Sequence, residues 1–224
     1  MLDSNKINIT SEPRGNGGTR ASGLERSLPS LANGNLQNQA NLMTKVASIA
    51  NLNLAFKAVK RNKGAPGIDN ITISQLEENL NEHLSLLQTS LTYGTYRPVA
   101  VRGVVIPKKH GKLRQLGIPT VIDRVVQQAI AQILSPIFDP TFSNSSYGFR
   151  PKRSAQDAVK AASGFVQAGR SWVVDIDLEQ FFDNVNHDKL MSKLAQTITD
   201  KTLLRLIRRF LSVGLMQDGL IKAR

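Results

Sequence analysis

The stretch Trp172–His187, with the sequence WVVDIDLEQFFDNVNH, decides how the rest of the chain is interpreted. It begins as a short apolar run after Gly169 and Arg170, a pattern that predicts a buried strand. Because strand side chains alternate between two faces, Asp175 and Asp177 would point the same way. Carboxylates are rarely buried without a partner, so this pair at the end of an apolar strand indicates a divalent metal with oxygen ligands.

The composition suggests a polyanionic partner, with nucleic acid as the first expectation and an anionic membrane as the second. The 224 residues include 29 Lys and Arg against 17 Asp and Glu, a formal net charge of +12. No apolar run is long enough to span a bilayer and no secretory signal is visible, so we expect no membrane partner. The chain has no cysteine, which excludes disulfides and fits a reducing, cytoplasmic compartment.

The order of patterns along the chain predicts an α+β fold that is mostly helical, with non-local strand pairing. Residues 1–40 are rich in Asn, Gly and Ser and are expected to form a disordered tail. Helical patterns begin at about residue 41, and the β-branched runs between residues 93 and 119 predict a hairpin. Its basic loop carries Lys108, Lys109, Lys112 and Arg114, which favours either a solvated hairpin tip or a phosphate site.

Three helix starts carry a Ser or Thr with an acidic residue three positions later, the pattern of a capping box. The pairs are Ser74 with Glu77, Thr120 with Asp123, and Ser154 with Asp157. The long helix after Thr120 is expected to end at Pro136. Its polar residues Asp123, Gln127 and Gln128 are expected on a solvated face, and Arg124 is set apart as a candidate contact to nucleic acid. After Ser154, the residues expected to face the core are Ala155, Ala158, Val159, Ala162, Phe165 and Val166.

The loop Ser145–Arg153, with the sequence SSYGFRPKR, interleaves two aromatic residues with three cations. Aromatic stacking combined with guanidinium contacts is how proteins hold single-stranded nucleic acid. The loop could equally be fixed by Tyr147 and Phe149 packing inward. A further basic patch, formed by Lys57, Lys60, Arg61 and Lys63, ends the second helical segment before the turn over residues 63–69.

Three classes of enzyme place Asp-x-Asp after an apolar strand. Phosphatases of the haloacid-dehalogenase type use the first Asp as nucleophile, but they normally carry Thr or Val where this chain has Glu179. Glycosyltransferases that use nucleotide sugars hold a metal with such a pair, but they are not usually so basic. Template-dependent polymerases hold two magnesium ions on an acidic strand, about 4 Å apart. The polymerase hypothesis alone accounts for both the carboxylates and the positive charge.

Several motifs, in order, resemble the N-terminal half of group II intron reverse transcriptases of the bacterial type. The matching stretches are NKGAPGID (62–69), YRPVAVRGVVIPKKHGKLRQLGIPTVIDRVVQQAI (96–130), SPIFDPTFSNSSYGFRPKRSAQDA (135–158) and VVDIDLEQFFDNVNHDKLM (173–191). Retron and CRISPR-associated reverse transcriptases share parts of this motif set. The resemblance implies the fingers and a partial palm of a right-hand polymerase, with fingers and fingers/palm helices over residues 41–170 and the first part of the palm over 171–224.

The resemblance also implies roles for individual residues. Asp177, with the backbone carbonyl of Leu178, would bind catalytic Mg²⁺, and Asp175 would be a neighbour on the same face. Phe182 would be the steric gate that selects deoxynucleotides. The fingers-loop cations Lys108 and Arg114 would hold the incoming dNTP.

Other positions are implied to contact nucleic acid. Arg150 and Pro151 match a loop near the templating base, and Arg153 follows in the same loop. The template RNA would lie along the start of the fingers, near the basic patch. The candidate nucleic-acid-binding residues are therefore Lys60, Arg61, Lys63, Arg124, Arg150 and Arg153.

This sequence departs from the family pattern in one large respect. The Pro-Gln-Gly-Gly segment and the Tyr-Ala-Asp-Asp hairpin, which carries the other metal carboxylates, do not occur in these 224 residues. We therefore expect a truncated part of an RNA-directed DNA polymerase that is inactive by itself. Expected partners are an intron RNA template, a DNA primer and dNTP, together with the missing C-terminal half or a second copy of the chain. The alternative is a non-catalytic, maturase-type RNA-binding module that assists intron folding and splicing.

Overall fold

A computed structural model describes residues 41–107, 113–178, 181–217 and 220–222 of the chain. The tail predicted over residues 1–40, and Lys108 at the hairpin tip, lie outside these ranges. None of the helices in the described ranges is both long enough and apolar enough to cross a membrane.

The described residues form an α+β fold, as predicted. The helices are α1 (Leu42–Ala47), α2 (Ile49–Arg61), α3 (Ile73–Glu78), α4 (Leu80–Thr92), α5 (Val121–Phe138), α6 (Ala155–Gln167), α7 (Phe181–Asn184), α8 (His187–Ala195) and α9 (Lys201–Leu211). A 3-10 turn, Asp139–Thr141, follows α5. The strands are β1 (Val101–Pro107), β2 (Leu113–Ile118), β3 (Leu215–Gln217) and β4 (Leu220–Lys222).

The four strands form one sheet in the order β2-β1-β3-β4. The predicted hairpin is confirmed: β1 pairs antiparallel with β2, from Arg102 opposite Ile118 to Pro107 opposite Leu113. Strand β3, which follows α9, pairs in parallel with β1, opposite Val101 and Arg102. The sheet therefore joins segments that are more than a hundred residues apart in the sequence. Non-local pairing was predicted, but the strand expected beside the hairpin was the acidic one, and the strands β3 and β4 were not predicted.

The hydrophobic core lies between the helices, where α1, α2, α4, α5 and α9 bury their apolar faces. Leu52, Val125 and Leu203 are among its fully buried side chains. Polar residues tie the helices together inside it. The amide of Asn51 donates to the carbonyl oxygens of Val46 and Ala129, each at 3.1 Å. These bonds satisfy buried groups that would otherwise destabilise the fold.

Two helix boundaries differ from the predictions. The capping box before α3 is formed by Thr72 and Gln75, not by Ser74 and Glu77, and a break at Asn79 separates α3 from α4. Helix α5 continues through Pro136 to Phe138. A proline in the last turn removes one backbone donor and still leaves the helix intact, so the expected end was two residues too early.

The prediction of a buried strand at Trp172–Asp177 is wrong for this structure. Residues 171–178 carry no helix or strand assignment, and Trp172 and Ile176 are 94% and 82% exposed. A strand requires a neighbouring backbone to satisfy its N–H and C=O groups. In the described ranges the sheet is β2-β1-β3-β4, and this segment pairs with none of its strands.

Helix α6 forms where it was predicted, but its apolar residues do not face the core. Ser154 and Asp157 make the predicted capping box. None of the residues of α6 is buried, and Val159, Phe165 and Val166 are all more than half exposed. Helical spacing correctly predicted an amphipathic helix, whereas burial depends on a packing partner that local spacing does not specify.

Candidate nucleic-acid interface

The loop that follows the basic end of α2 lies directly against the start of α5. A Cβ at Gly67 would lie 2.6 Å from Cα of Thr120, and a Cβ at Gly64 would lie 2.0 Å from Nη1 of Arg124. The approach at Gly67 requires glycine because its neighbour is backbone, whereas the neighbour of Gly64 is the end of a flexible side chain. Arg124 donates from Nη2 to the carbonyl oxygen of Ala65 at 2.7 Å. The turn predicted from Gly and Pro is thus clamped onto α5, and Arg124 joins the basic patch.

Arg124 has little compensation for its partly buried charge. Desolvation lowers its pKa, and the negative charge of Asp69 opposes that shift. Its Nε is buried and has no hydrogen-bond partner. No ion pair of Arg124 occurs in the part of the chain that the structure describes. A guanidinium in this position is well suited to an external anion, because it carries an unneutralised charge and donors in a fixed fork.

The other cations of the patch are exposed. Lys60 contacts Glu77, with 2.5 Å between Nζ and Oε1. Arg61 is the last residue of α2, and Lys63 lies in the following turn with φ of 48°. An exposed pair such as Lys60 with Glu77 contributes little to stability, so its charge can be redirected to a ligand at small cost.

The prediction that Asp123 lies on a solvated face is wrong, because this residue is only 2% exposed. It accepts hydrogen bonds from Tyr96 Oη at 2.7 Å and Thr120 Oγ1 at 2.8 Å, and the backbone N–H of Val99 lies 3.4 Å away. Burial raises the pKa of Asp123, while the bonds from Tyr96 and Thr120 oppose the rise. Burial and the carboxylate also raise the pKa of Tyr96. This network fixes the entry to the hairpin against α5.

Arg150, predicted to bind nucleic acid, is engaged by its own loop. Its side chain is 7% exposed. Nε donates to Asp139 Oδ1 at 2.8 Å, Nη2 to the Asp139 carbonyl at 2.8 Å, and Nη1 to the carbonyls of Ser143 and Ser146 at 2.7 and 3.1 Å. The ion pair lowers the pKa of Asp139 and raises that of Arg150. Arg150 therefore organises the loop.

The same loop presents an aromatic side chain to solvent. Phe149 is fully exposed and has φ of 55°, in the left-handed region that non-glycine residues rarely adopt. Such a conformation costs on the order of 1 kcal/mol or more and persists only when the surroundings enforce it. Arg153 donates to the carbonyl oxygen of Asn144 and lies over the half-buried ring of Tyr147, 5.3 Å from its centroid. Because the ring of Phe149 is fully exposed, the alternative in which this residue packs inward is excluded.

Residues 171–178, which carry Asp175 and Asp177 and are called the acidic segment below, are exposed and lie just before α7. Asp177 Oδ1 accepts from the backbone N–H of Leu178 at 2.9 Å. Phe181 and Phe182 form an edge-to-face pair with centroids 5.4 Å apart, and both rings are more than half exposed. The predicted metal residue and the predicted steric gate are therefore accessible. Arg114 is exposed on β2, opposite Ile106.

The oxygens of this segment are of the type that magnesium takes in proteins. No group of three or more His, Cys, Asp or Glu side chains placed to hold a metal occurs within the described ranges. Magnesium in phosphoryl-transfer sites uses one or two carboxylates together with water and substrate phosphates. Asp177 could thus supply one ligand of such a site, with Asp175 two positions before it in the chain, and not the whole set.

The structure brings some predicted residues together and leaves others apart. Arg124 joins the patch of Lys60, Arg61 and Lys63, and Arg150 and Arg153 share one loop. Four cavities lie along α5. Those of about 320, 530 and 170 Å³ are lined by no described residue of the acidic segment or the hairpin, whereas a fourth of about 190 Å³ lies between α5 and the hairpin residues Val101 and Gly117. Of the α5 residues that line these cavities, Arg124 was predicted as a contact to nucleic acid and Gln127 and Gln128 as part of a solvated face, whereas Ala131, Gln132 and Ser135 were not predicted as part of a site. The sequence feature that could have indicated these cavities is the regular spacing of small and amide side chains on α5, on the face opposite its buried apolar residues.

Comparison with known proteins identifies the family. A family profile described as "Reverse transcriptase (RNA-dependent DNA polymerase)" matches residues 106–223. Protein YkfC of Escherichia coli (strain K12) is 36% identical over 175 residues, covering 75% of this chain and 46% of that protein. Group II intron-encoded protein LtrA of Lactococcus lactis subsp. cremoris is 36% identical over 168 residues, covering 74% of this chain and 27% of that protein.

More distant similarities agree. Nuclear intron maturase 1, mitochondrial, of Arabidopsis thaliana is 36% identical over 90 residues, covering 40% of this chain and 12% of that protein. A chain of a solved structure named "Partial Cas6-RT-Cas1--Cas2 complex" superposes with a TM-score of 0.52 and 23% identity, covering 80% of this chain and 29% of that chain. This structural likeness concerns the fold alone.

The profile match covers more than half of the chain, so the protein is a reverse transcriptase by family. Within that class, the chain belongs to the group II intron reverse transcriptase and maturase family. It spans less than half the length of the curated relatives described above.

Proposed function

We propose that this chain forms the fingers and the first part of the palm of a group II intron RNA-directed DNA polymerase. Residues 41–170 would be the fingers with the fingers/palm helices, and residues 171–224 the beginning of the palm. The substrates would be an intron RNA template, a DNA primer and dNTP. Magnesium, when bound, would activate the primer hydroxyl and neutralise the triphosphate.

The observation that carries this proposal is the arrangement of the acidic segment within the matched region. Asp177 lies five residues before Phe182, and both are exposed rather than part of the core. Exposed acidic and aromatic residues so close together contribute little to folding, and their chemistry suits a metal-bound nucleotide. Asp177 and the carbonyl of Leu178 would bind the metal, and Phe182 would exclude a ribose 2′-hydroxyl.

The cations have complementary roles in this proposal. Arg114, with Lys108 outside the described residues, would contact the triphosphate. Lys60, Arg61, Lys63 and Arg124 would contact the template backbone, since their charges are either exposed or without an ion pair among the residues described. Arg153 would contribute from the loop before α6. The +12 formal charge supports this distribution of positive charge toward a polyanion.

A second function is supported by the relatives that are named intron maturases. In this case the chain would be an RNA-binding module that assists folding and splicing of the intron without chemistry of its own. Exposed cations and an exposed aromatic loop serve this role equally well. The two functions differ in whether Asp177 matters for anything beyond RNA affinity.

A chimera tests the proposal. Residues of this chain would replace the matching 168-residue region of the Lactococcus lactis relative, and the chimera would be assayed for primer extension on RNA. We expect extension by the parent chimera and none by its Asp177→Asn variant, with RNA affinity retained in both. The exposed Asp188→Asn variant is the control. Full extension by the Asp177→Asn chimera would remove Asp177 from the metal site and favour the maturase-type function.

A further inference from the structure

One face of α5 forms a continuous groove that neither the hydrophobic core nor the acidic segment uses. Gln127, Ala131 and Ser135 recur every four residues along it and are exposed, whereas the opposite face carries the buried residues. The 320 Å³ and 530 Å³ cavities share Gln128 and Ala131. The 530 Å³ and 170 Å³ cavities share Ser135, Asp139 and Pro151. The three cavities are therefore sections of one groove. From Arg124 to Ser135 the helix rises about 16 Å.

The charges along this groove are those of an anion-binding surface. Arg124 lines one end, next to exposed Arg61 and Lys63. Lys152 lines the other end, and Arg153 follows it in the chain. The acidic side chain among the lining residues is Asp139, which Arg150 neutralises at 2.8 Å. Between the two ends lie amide, hydroxyl and methyl groups, which can contact sugars and bases without charge repulsion.

The far end of the groove holds Phe149 at its rim. Its ring is fully exposed although its backbone is held at a φ of 55°. The next residue, Arg150, donates four hydrogen bonds within the loop and so holds this part of the backbone in place. A loop that only needed to turn would gain nothing from an exposed aromatic in a strained conformation. A rigidly presented ring with cations nearby is suited to stacking on an unpaired base.

We propose that this groove holds an unpaired nucleic-acid strand, with a base stacked on Phe149 and a backbone phosphate at Arg124. The inference rests on the proposed function and specifies where that function places the single strand. Duplex nucleic acid does not fit this description, since its bases are already stacked and unavailable to Phe149. Arg150 is a positioning residue in this proposal, and Phe149 makes the contact.

The test measures binding of the 224-residue chain to labelled single-stranded RNA, single-stranded DNA of the same sequence, and duplex RNA by fluorescence anisotropy. Oligonucleotides of about 10 nucleotides suit such a groove. We expect Phe149→Ala to weaken single-strand binding about tenfold, the effect usual for one stacked base, and to leave duplex binding unchanged. Phe149→Trp should retain affinity. The control is Tyr93→Ala, which removes another exposed aromatic, at the end of α4.

A second variant and a fluorescence signal test whether the strand lies in the groove, independently of the Phe149→Ala result. Ala131→Trp fills its middle section and should weaken binding of the single strand, whereas Leu54→Trp, at an exposed position on α2, should not. In a Trp172→Phe background, the emission of Phe149→Trp should be quenched by the single strand. A larger effect on RNA than on DNA would point to the template strand, and equal effects would point to any single strand; both support the groove.

The outcomes separate the groove from the wider proposal. If Phe149→Ala and Ala131→Trp bind the single strand as tightly as the parent while salt-dependent RNA binding persists, the groove assignment is overturned and the proposed function stands. Absence of RNA binding by the parent chain at low salt overturns both.

Discussion

Gly64 and Arg124 are so close that a Cβ at position 64 would lie 2.0 Å from Nη1 of the guanidinium. The contact joins the turn after α2 to the first turn of α5, and a similar approach occurs at Gly67, where the neighbour is the backbone of Thr120. The two glycines therefore meet different kinds of atoms. One faces the end of a flexible side chain, and the other faces a rigid backbone.

This difference predicts that the same substitution destabilises the protein more at Gly67 than at Gly64. Gly67→Ala should lower the free energy of unfolding by about 1–3 kcal/mol, as overpacking against atoms that cannot move does. Gly64→Ala should cost less than about 1 kcal/mol, because Arg124 can swing away, but it should lower RNA affinity by displacing that guanidinium. Urea unfolding and anisotropy measure the two effects. Equal stability losses at both positions would contradict the interpretation.

The buried carboxylate of Asp123 makes stability depend on pH. Burial raises its pKa in the folded state above the ordinary value of about 3.9. The folded state therefore retains the proton at a pH where the unfolded state has lost it. The contribution of Asp123 to stability is fully present below the unfolded pKa and is lost as pH rises through the raised folded pKa.

Asp123→Asn isolates this contribution from the other carboxylates, including Asp139, whose lowered pKa has the opposite effect. We expect the parent to lose unfolding free energy relative to Asp123→Asn as pH rises from about 4 through that window. Urea unfolding at a series of pH values measures the difference. If the parent instead gains stability relative to the variant, the hydrogen bonds from Tyr96 and Thr120 outweigh burial.

The sequence predicted those parts of the fold that local interactions determine. Most of the helices, the hairpin and the cap at Ser154 follow from spacing and turn chemistry within a few residues, whereas the short helix α7 and the strands β3 and β4 were not predicted. Asp123 was misplaced because its partner Tyr96 lies 27 positions away, which no local pattern encodes. The segment at Trp172 was misplaced for a similar reason, since a strand needs a distant backbone to pair with.

In the candidate site too, the sequence predicted what neighbouring residues determine and not the contacts between distant ones. Arg150 and Phe149 are adjacent in the sequence, and the composition of their loop fitted either a contact to nucleic acid or inward packing of its aromatic residues. Only the geometry shows that the arginine is engaged internally while the phenylalanine is exposed. Arg124 was set apart from the solvated face as a candidate contact to nucleic acid, and its contact with the turn at Gly64 is visible only in the structure.

A buried valine in α5 and an exposed valine in α6 allow the effect of burial on stability to be compared directly. Val125 in α5 is 0% exposed and Val159 in α6 is 68% exposed. Val125→Ala should lower the free energy of unfolding by about 2 kcal/mol, from lost transfer energy and a residual cavity. Val159→Ala should leave it unchanged within about 0.5 kcal/mol, since alanine is also the better helix former. A comparable loss at Val159 in urea unfolding would show that α6 is packed in solution.

The salt dependence of RNA affinity distinguishes cations that contact phosphate from cations that do not. Arg61→Gln should reduce the magnitude of the slope of log affinity against log salt by about 1, because one fewer phosphate would be neutralised. Lys189→Gln, which removes one charge from α8, should leave the slope unchanged. Anisotropy titrations at several salt concentrations measure both slopes. Identical slopes for the parent and Arg61→Gln would remove Arg61 from the interface.

Arg150 and Phe149 are expected to act as one unit in binding single-stranded RNA. Lysine cannot reproduce the four hydrogen bonds of the Arg150 fork, so Arg150→Lys should speed amide exchange in the loop over residues 143–149. The variant should also weaken single-strand binding, because Phe149 would no longer be held in its exposed conformation.

The double variant decides whether Arg150 touches the strand itself. If Arg150 acts only through Phe149, then Arg150→Lys with Phe149→Ala should bind single-stranded RNA no more weakly than Phe149→Ala alone, since the two losses have one cause. Anisotropy on the four members of the cycle measures this coupling. Fully additive losses would mean that Arg150 contacts nucleic acid directly, as its position in the motif implied, and that its hydrogen bonds to Asp139, Ser143 and Ser146 are exchanged for a phosphate on binding.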